Sequence, residues 1–226
     1  MIELLKFIGL KIKINKNKKI IELNNNQKKI RTLAPYKLVK TMRAGVLVLG
    51  PLLTKFKKAK VSLPGGCAIG TRPVDLHLYA LKKLGAKIKI SNGYILAEAK
   101  NGLKGAKINF PTISVGATEN ALLAAFKAKG KTVLKNCAIE PEIKELIKFL
   151  NKLGADISFQ GRTISILGSK NSNSKIIHNV IFDRIELGTY MIASALLARK
   201  NLVIDKIDPK IIQNELSILK KIGVKI

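Results

Sequence analysis

The chain has 226 residues and a formal net charge of +28, from 42 Lys and Arg against 14 Asp and Glu. This length can bury a sizeable core, and 47% hydrophobic with 25% charged residues exclude a wholly disordered chain. The positive charge suits nucleic acid, an anionic membrane or an anionic small substrate. The lysines are spread along the whole chain, however, which favours a coding bias towards Lys, Ile and Asn. Only 5% of residues are aromatic and none is Trp, so we expect no specific nucleic-acid partner.

The cysteine content and the apolar runs bear on localisation. Cys67 and Cys137 are far apart in sequence and form neither a metal-binding pattern nor a disulfide framework, which favours a reducing compartment. No apolar run reaches the roughly 18 residues of a membrane helix, and the N-terminus does not have the pattern of a signal peptide. We therefore expect a cytoplasmic protein with no membrane partner, no metal and no cofactor.

An internal repeat organises the chain. A helix that ends at Leu-Gly or Ile-Gly and leads directly into an alternating strand occurs four times, at Gly9, Gly85, Gly154 and Gly223. The spacing corresponds to a repeat of about 70 residues. Glycine suits the left-handed residue that ends a helix, and apolar residues at a period of two suit a half-buried strand.

A second pattern lies between these glycines. Helices rich in small residues are predicted over 41–56, 117–128 and 188–199, each followed by a short strand and then by a proline that opens the next helix. The strands centre on Val61, Val133 and Val203, and the prolines are Pro73, Pro141 and Pro209. The fold class is therefore α/β. Only eight residues precede Gly9, and the last strand stops at Ile226, which predicts a chain truncated at both ends.

A loop rich in glycine and proline connects the strand at Val61 to the next helix. Three glycines and two prolines lie within residues 63–77. Arg72 directly precedes Pro73, at a helix start that favours an anion, and a cation there favours the thiolate of Cys67. These residues predict a loop with a reactive thiol that closes over a phosphate. The alternative is a glycine-rich hairpin with an incidental cysteine.

Five blocks, in order and at matching spacing, resemble the UDP-N-acetylglucosamine 1-carboxyvinyltransferases of the enolpyruvyl transferase family. They are residues 35–44 with 49–52, 64–77, 114–120, 140–143 and 183–190. The resemblance implies transfer of an enolpyruvyl group from phosphoenolpyruvate to the 3-hydroxyl of UDP-N-acetylglucosamine, the first committed step of peptidoglycan synthesis. It thereby implies a role in cell-wall biogenesis, cell shape, the cell cycle and cell division.

The resemblance also implies an architecture. Such enzymes have two domains, each an inside-out α/β barrel of three repeats, with the substrates between them. Residues 1–205 would form the catalytic-loop domain without its N-terminal part, and residues 206–226 the start of the second domain.

The site residues follow from the same resemblance. Cys67 corresponds to the proton donor, which can also bond to phosphoenolpyruvate, and Arg43 and Arg72 to arginines that hold the anionic substrates. The nucleotide-sugar pocket would comprise Pro73, Val74, Asp75, Leu76, Thr112, Ser114 and Val115. Thr112 stands where some members carry a lysine.

Three further residues are candidates for lining the cleft, and each has a structural alternative. Glu140 lies at a helix start, where its negative charge would interact favourably with the helix dipole. Asp183 and Arg184 would form an ion pair. His77, near a helix start and without a partner His or Cys, is not expected to bind a metal.

Two other functions remain open. One is a non-catalytic remnant, or half of a split enzyme that needs a companion chain; the other, less favoured, is a basic nucleic-acid-binding protein. The family's N-terminal Lys-Asn pair and its second domain, with a catalytic Asp, have no counterpart in the sequence. We therefore expect the chain alone to be inactive.

Overall fold

The structure, a computed structural model, describes residues 1–15, 17, 20–24, 30–40, 42–65, 73–169, 176–198 and 202–226. The chain divides into two compact units, Met1–Ile176 and Ile177–Ile226. None of the helices in these ranges has the length and apolar character needed to cross a membrane.

The first unit begins with a helix and a hairpin. Helix α1 (Ile2–Ile8) ends at Gly9, whose φ of 121° suits glycine. Strands β1 (Lys11–Asn15) and β2 (Ile20–Asn24) then pair antiparallel. The predicted succession of helix, glycine and strand is thus formed in this first copy.

Two four-stranded sheets follow, and they share one topology. The first contains β3 (Leu33–Ala34), β4 (Lys58–Ser62), β5 (Lys87–Ser91) and β6 (Tyr94–Glu98), in the order β3-β4-β6-β5. The second contains β7 (Lys107–Asn109), β8 (Lys131–Lys135), β9 (Asp156–Gln160) and β10 (Thr163–Leu167), in the order β7-β8-β10-β9. In each sheet the first pair is parallel and the other two pairs are antiparallel. The matching order confirms the repeat predicted from the sequence.

Six helical segments follow α1 among the described residues of the first unit, and one of them lies at the centre of the core. They are α2 (Tyr36–Val39), a 3₁₀ turn (Arg43–Val48), α3 (Leu49–Phe56), α4 (Asp75–Lys83), α5 (Val115–Ala125) and α6 (Pro141–Lys152). Helix α5 contacts α3, α4, α6 and the 3₁₀ turn. Its Ala117, Ala121 and Ala124 are fully buried, because small side chains let neighbouring helices approach closely. The small-residue pattern seen in the sequence therefore marks the centre of the core.

The second unit contains α7 (Arg184–Leu197), a 3₁₀ turn (Pro209–Ile212) and α8 (Gln213–Lys221). Here the strand predicted at Val203 is absent, and Val203 is 84% exposed. A strand needs a partner for its N–H and C=O groups, and the described part of this unit contains no other strand to pair with. That prediction was wrong for this reason.

The three prolines differ in how they open a helix. Pro141 is the first residue of α6, as predicted, and Pro209 opens a 3₁₀ turn before α8. Pro73 instead lies two residues before Asp75, the first residue of α4. The compact units divide after Ile176, and the predicted start of a second domain at residue 206 stays a prediction.

Candidate functional site

The catalytic-loop candidates Cys67 and Arg72 lie outside the described residues. The base of their loop is described. A Cβ added at Gly65 would lie 2.6 Å from the carbonyl oxygen of Lys40, so only glycine lets the loop leave β4 this close to the segment before Arg43. The site can therefore be built from the elements around the loop.

The candidates Ser114 and Val115 lie at the start of α5. Ser114 caps this helix, and its Oγ accepts a hydrogen bond from the Ala117 N–H at 3.3 Å. The carbonyl of Ser114 accepts from both the N–H and the hydroxyl of Thr118, at 3.0 and 2.8 Å. A helix start leaves backbone N–H groups without intrahelical acceptors, and the helix dipole favours negative charge there. The turn at Ser114 and Val115 therefore suits an anionic ligand.

The start of α4, a helix that packs against α5, contains other pocket candidates. Asp75 is the first residue of this helix, and Pro73 and Val74 precede it. Pro73 and Asp75 are exposed, whereas Val74 and Leu76 are half-buried. Thr112 is exposed, in the segment that leads to Ser114.

A buried histidine joins these elements. His77, on α4, is 7% exposed, and its Nδ1 lies 3.2 Å from Nδ2 of Asn120 on α5. A Cβ added at Gly116 would lie 3.1 Å from the ring Cε1 of His77 and 3.3 Å from its Nε2. The imidazole therefore packs edge-on against the first turn of α5, next to Val115.

The charges around this histidine include two predicted site residues. The pKa of His77 falls from 6.5 to about 4. Burial is the largest cause, the positive charge of Arg43 lowers the pKa further, and the negative charge of Asp75 acts in the opposite direction. His77 is therefore neutral at physiological pH. Arg43 and Asp75 thus both act electrostatically on His77, whose ring packs against the first turn of α5.

Three glutamates lie on α5 and at the start of α6, two elements that contact each other. Burial, and then the carboxylate of Glu142, raise the pKa of Glu119. Glu140 precedes α6 but makes no capping hydrogen bond, and its Oε2 is buried without a hydrogen-bond partner among the described residues. Glu140 is the N-cap residue of α6, and both its interaction with the helix dipole and its place in the cleft stay predictions.

Asp183 is the N-cap of α7 in the second unit. Its Oδ1 accepts from the N–H groups of Ile185 and Glu186, at 2.8 and 3.1 Å. Arg184 is the first residue of that helix. The capping geometry gives Asp183 a structural task, and a cleft-lining role for both residues stays a prediction.

Cys137 is a structural cysteine. It is fully buried, and this burial raises the pKa of its thiol to about 11, although two hydrogen bonds lower the pKa to a smaller extent. The Thr118 hydroxyl, which accepts from the Ala138 N–H at 3.2 Å, ties this segment to α5. A buried thiol with a raised pKa is a poor nucleophile.

No sequence pattern predicted the link between His77 and Asn120. One signal was present: Asn120 is a lone amide within the small, apolar helix of residues 117–128. A buried amide needs hydrogen-bond partners, so its presence in such a helix indicates a polar contact with a neighbouring element.

Comparison with known proteins gives the wider context. The family profile described as EPSP synthase (3-phosphoshikimate 1-carboxyvinyltransferase) matches residues 1–226. The UDP-N-acetylglucosamine 1-carboxyvinyltransferase of Pelagibacter ubique is 60% identical over 100% of this chain and 53% of its own length. The protein of that name from Endomicrobium trichonymphae is 48% identical over 99% of this chain and 52% of its own. The chain thus spans about half the length of the curated relatives it matches.

Solved structures show the same fold. The enolpyruvyl transferase NikO from Streptomyces tendae superposes with a TM-score of 0.83, at 22% identity, over 99% of this chain and 53% of its own. An EPSP synthase from Acinetobacter baumannii superposes with a TM-score of 0.74, at 20% identity, over 98% of this chain and 50% of its own. The predicted fold class is confirmed as that of the enolpyruvyl transferases. The profile covers every residue of the chain, and the chain therefore belongs to the EPSP synthase (3-phosphoshikimate 1-carboxyvinyltransferase) family.

Proposed function

We propose that this chain forms part of an enzyme that transfers the enolpyruvyl group of phosphoenolpyruvate to the 3-hydroxyl of UDP-N-acetylglucosamine. The observation that carries the proposal is the identity of 60% and 48%, over essentially the whole chain, to two relatives named for that activity. Its setting would be cytoplasmic synthesis of peptidoglycan precursors, and hence cell-wall growth, cell shape and division.

The geometry supports a nucleotide-sugar pocket at the start of α5. The Ser114–Val115 turn offers helix N–H groups, and Arg43 begins the 3₁₀ turn whose Val46 carbonyl accepts a hydrogen bond from Asn120 of α5. A guanidinium can hold two oxygens of a diphosphate at once. Residues Pro73–Leu76, at the start of α4, would contact the rest of the nucleotide sugar.

The loop would supply the chemistry. In this proposal Arg72 binds the phosphate of phosphoenolpyruvate, and the Cys67 thiol protonates the double bond, which makes the adjoining carbon electrophilic towards the sugar hydroxyl. The hydroxyl oxygen adds to that carbon while its proton passes to a base. Phosphate then leaves as the new methyl group returns a proton to the Cys67 thiolate, which restores the double bond. A thiol suits the task because it is an acid near neutral pH and a nucleophile as thiolate.

Turnover would require more than this chain. Because the chain spans about half the length of the relatives, we propose that a companion segment supplies the opposing wall of the cleft. Closing two walls over the substrates positions them and excludes water. The isolated chain would therefore bind the nucleotide sugar weakly and release no phosphate.

Calorimetric titration tests the pocket directly. UDP-N-acetylglucosamine should bind the purified chain, and Arg43→Ala should weaken binding about tenfold, as expected for losing one charge-assisted contact. Arg31→Ala is the matched control, because Arg31 stacks on Phe7 at 4.8 Å instead. Equal effects of the two substitutions would show that only overall charge matters.

The alternative functions have separate tests. Shikimate 3-phosphate should give no binding heat, because the Gly65-Gly66-Cys67 loop is not expected in EPSP synthases proper. A nucleic-acid-binding protein would bind short duplexes with an affinity that falls steeply with salt. A non-catalytic remnant would bind neither the nucleotide sugar nor phosphoenolpyruvate.

A further inference from the structure

The Asn120 side chain has a fixed orientation in the core. Its Oδ1 accepts from the Gly50 N–H at 2.9 Å, and its Nδ2 donates to the Val46 carbonyl at 3.3 Å. A backbone N–H can only donate and a carbonyl can only accept, so these two contacts independently place the amide oxygen and nitrogen. Asn120 is fully buried, and the orientation is thus enforced by the cost of an unmade hydrogen bond.

The fixed amide determines the tautomer of His77. The atom 3.2 Å from His77 Nδ1 is the donor nitrogen Nδ2 of Asn120, so Nδ1 must be the unprotonated acceptor. The ring proton then lies on Nε2, which faces Gly116 in the first turn of α5. A proton on both nitrogens would set two donors against each other.

Two glycines make this arrangement possible. A Cβ added at Gly50 would lie 2.4 Å from Asn120 Oδ1, and one added at Gly116 would contact the His77 ring. The pair therefore joins the 3₁₀ turn that begins at Arg43, the first turn of α3, α4 and the start of α5.

We propose that His77, held by Asn120 as the neutral Nε2–H tautomer, is a positioning residue that keeps Arg43 and the Ser114–Val115 turn in register for one nucleotide diphosphate. This inference rests on the proposed function. His77 acts through these groups. This positioning role requires no contact between the His77 ring and the ligand.

The tautomer is tested without any ligand. In uniformly nitrogen-15-labelled chain at neutral pH, the ring shifts of His77 should show a protonated Nε2 and a bare Nδ1. The chain has two histidines, so His178→Asn assigns the signals. Asn120→Asp replaces the donor by an acceptor and should move the proton to Nδ1. A His77 ring protonated at Nδ1 in the unsubstituted chain would overturn the proposal.

Binding tests the positioning role. His77→Asn should weaken UDP-N-acetylglucosamine binding about tenfold, the effect of one lost buried hydrogen bond, and His178→Asn should leave it unchanged. Gly116→Ala pushes on the ring and should also weaken binding, whereas Gly188→Ala, with no atom within 4 Å of the added Cβ, should not.

A double-mutant cycle separates the ring from the turn itself. If Gly116→Ala acts through His77, the double variant with His77→Asn should bind no more weakly than His77→Asn alone. Additive losses, or unchanged binding by His77→Asn, would overturn the positioning role while leaving the pocket intact. Absence of binding by the unsubstituted chain would instead refute the proposed function, and the positioning role would fall with it.

Discussion

Replacing Gly50 with alanine perturbs the packing that carries the site. The added Cβ would lie 2.4 Å from Oδ1 of Asn120, 2.8 Å from the carbonyl oxygen of Asn120 and 3.3 Å from the backbone nitrogen of Ala124. Two of these three atoms belong to the backbone of α5, so rotation of a side chain cannot relieve the clash. Helices α3 and α5 must move apart.

The expected cost has two parts. Overpacking a tight core costs about 1–3 kcal/mol. Weakening the buried bond from the Gly50 N–H to Asn120, 2.9 Å long, costs about 1–3 kcal/mol more. The free energy of unfolding should therefore fall by about 2–6 kcal/mol, which corresponds to a melting temperature about 4–24 °C lower for a chain of this size.

Urea unfolding followed by far-ultraviolet circular dichroism measures the effect. The midpoint should fall while the slope stays unchanged, because the same surface is exposed on unfolding. Gly188→Ala controls for the substitution itself, since its added Cβ meets no atom within 4 Å. If Gly50→Ala unfolds within about 0.5 kcal/mol of the unsubstituted chain, α3 and α5 do not pack as described.

Three further results are expected. Cys67 should react with iodoacetamide faster than Cys137, which is fully buried with a pKa raised to about 11, and Cys67→Ser should abolish the fast labelling seen by mass spectrometry. His77 has a pKa of about 4 in the folded chain, against 6.5 for an unburied histidine, so the unfolded chain binds more protons between pH 6.5 and pH 4. The free energy of unfolding should therefore fall as the pH is lowered through this range, by about 2–4 kcal/mol relative to His77→Asn, as measured by urea titration. Thr118→Val removes the acceptor of the buried Ala138 N–H and should cost about 1–3 kcal/mol, and an unchanged midpoint would contradict that bond.

Local patterns predicted the regular parts of the fold. Strands β4 and β8 contain Val61 and Val133 at their predicted positions. Strands β5 and β9 follow Gly85 and Gly154, where the alternation of apolar residues predicted them. Gly9, Gly85, Gly154 and Gly223 all have positive φ, as a glycine that ends a helix requires. These features depend on neighbours within a few residues.

The features that sequence patterns missed depend on distant partners. The strand expected at Val203 requires another strand beside it, and a pattern of apolar residues cannot supply one. The link between Asn120, His77 and Gly50 joins residues 43 and 70 positions apart, and only the packed helices bring them together. The resemblance pointed to Arg43, Asp75 and Ser114, but the buried contact between His77 and Asn120 emerged from the structure alone.

Phosphate release is the most direct measure of the proposed transfer. The chain should be assayed with phosphoenolpyruvate and UDP-N-acetylglucosamine, alone and after co-expression with the C-terminal half of the Pelagibacter ubique relative, which is 60% identical over this chain. We predict release only when both chains and both substrates are present, and none with Cys67→Ser. Full turnover by this chain alone would contradict the two-walled cleft, and turnover unaffected by Cys67→Ser would contradict the role given to the loop thiol.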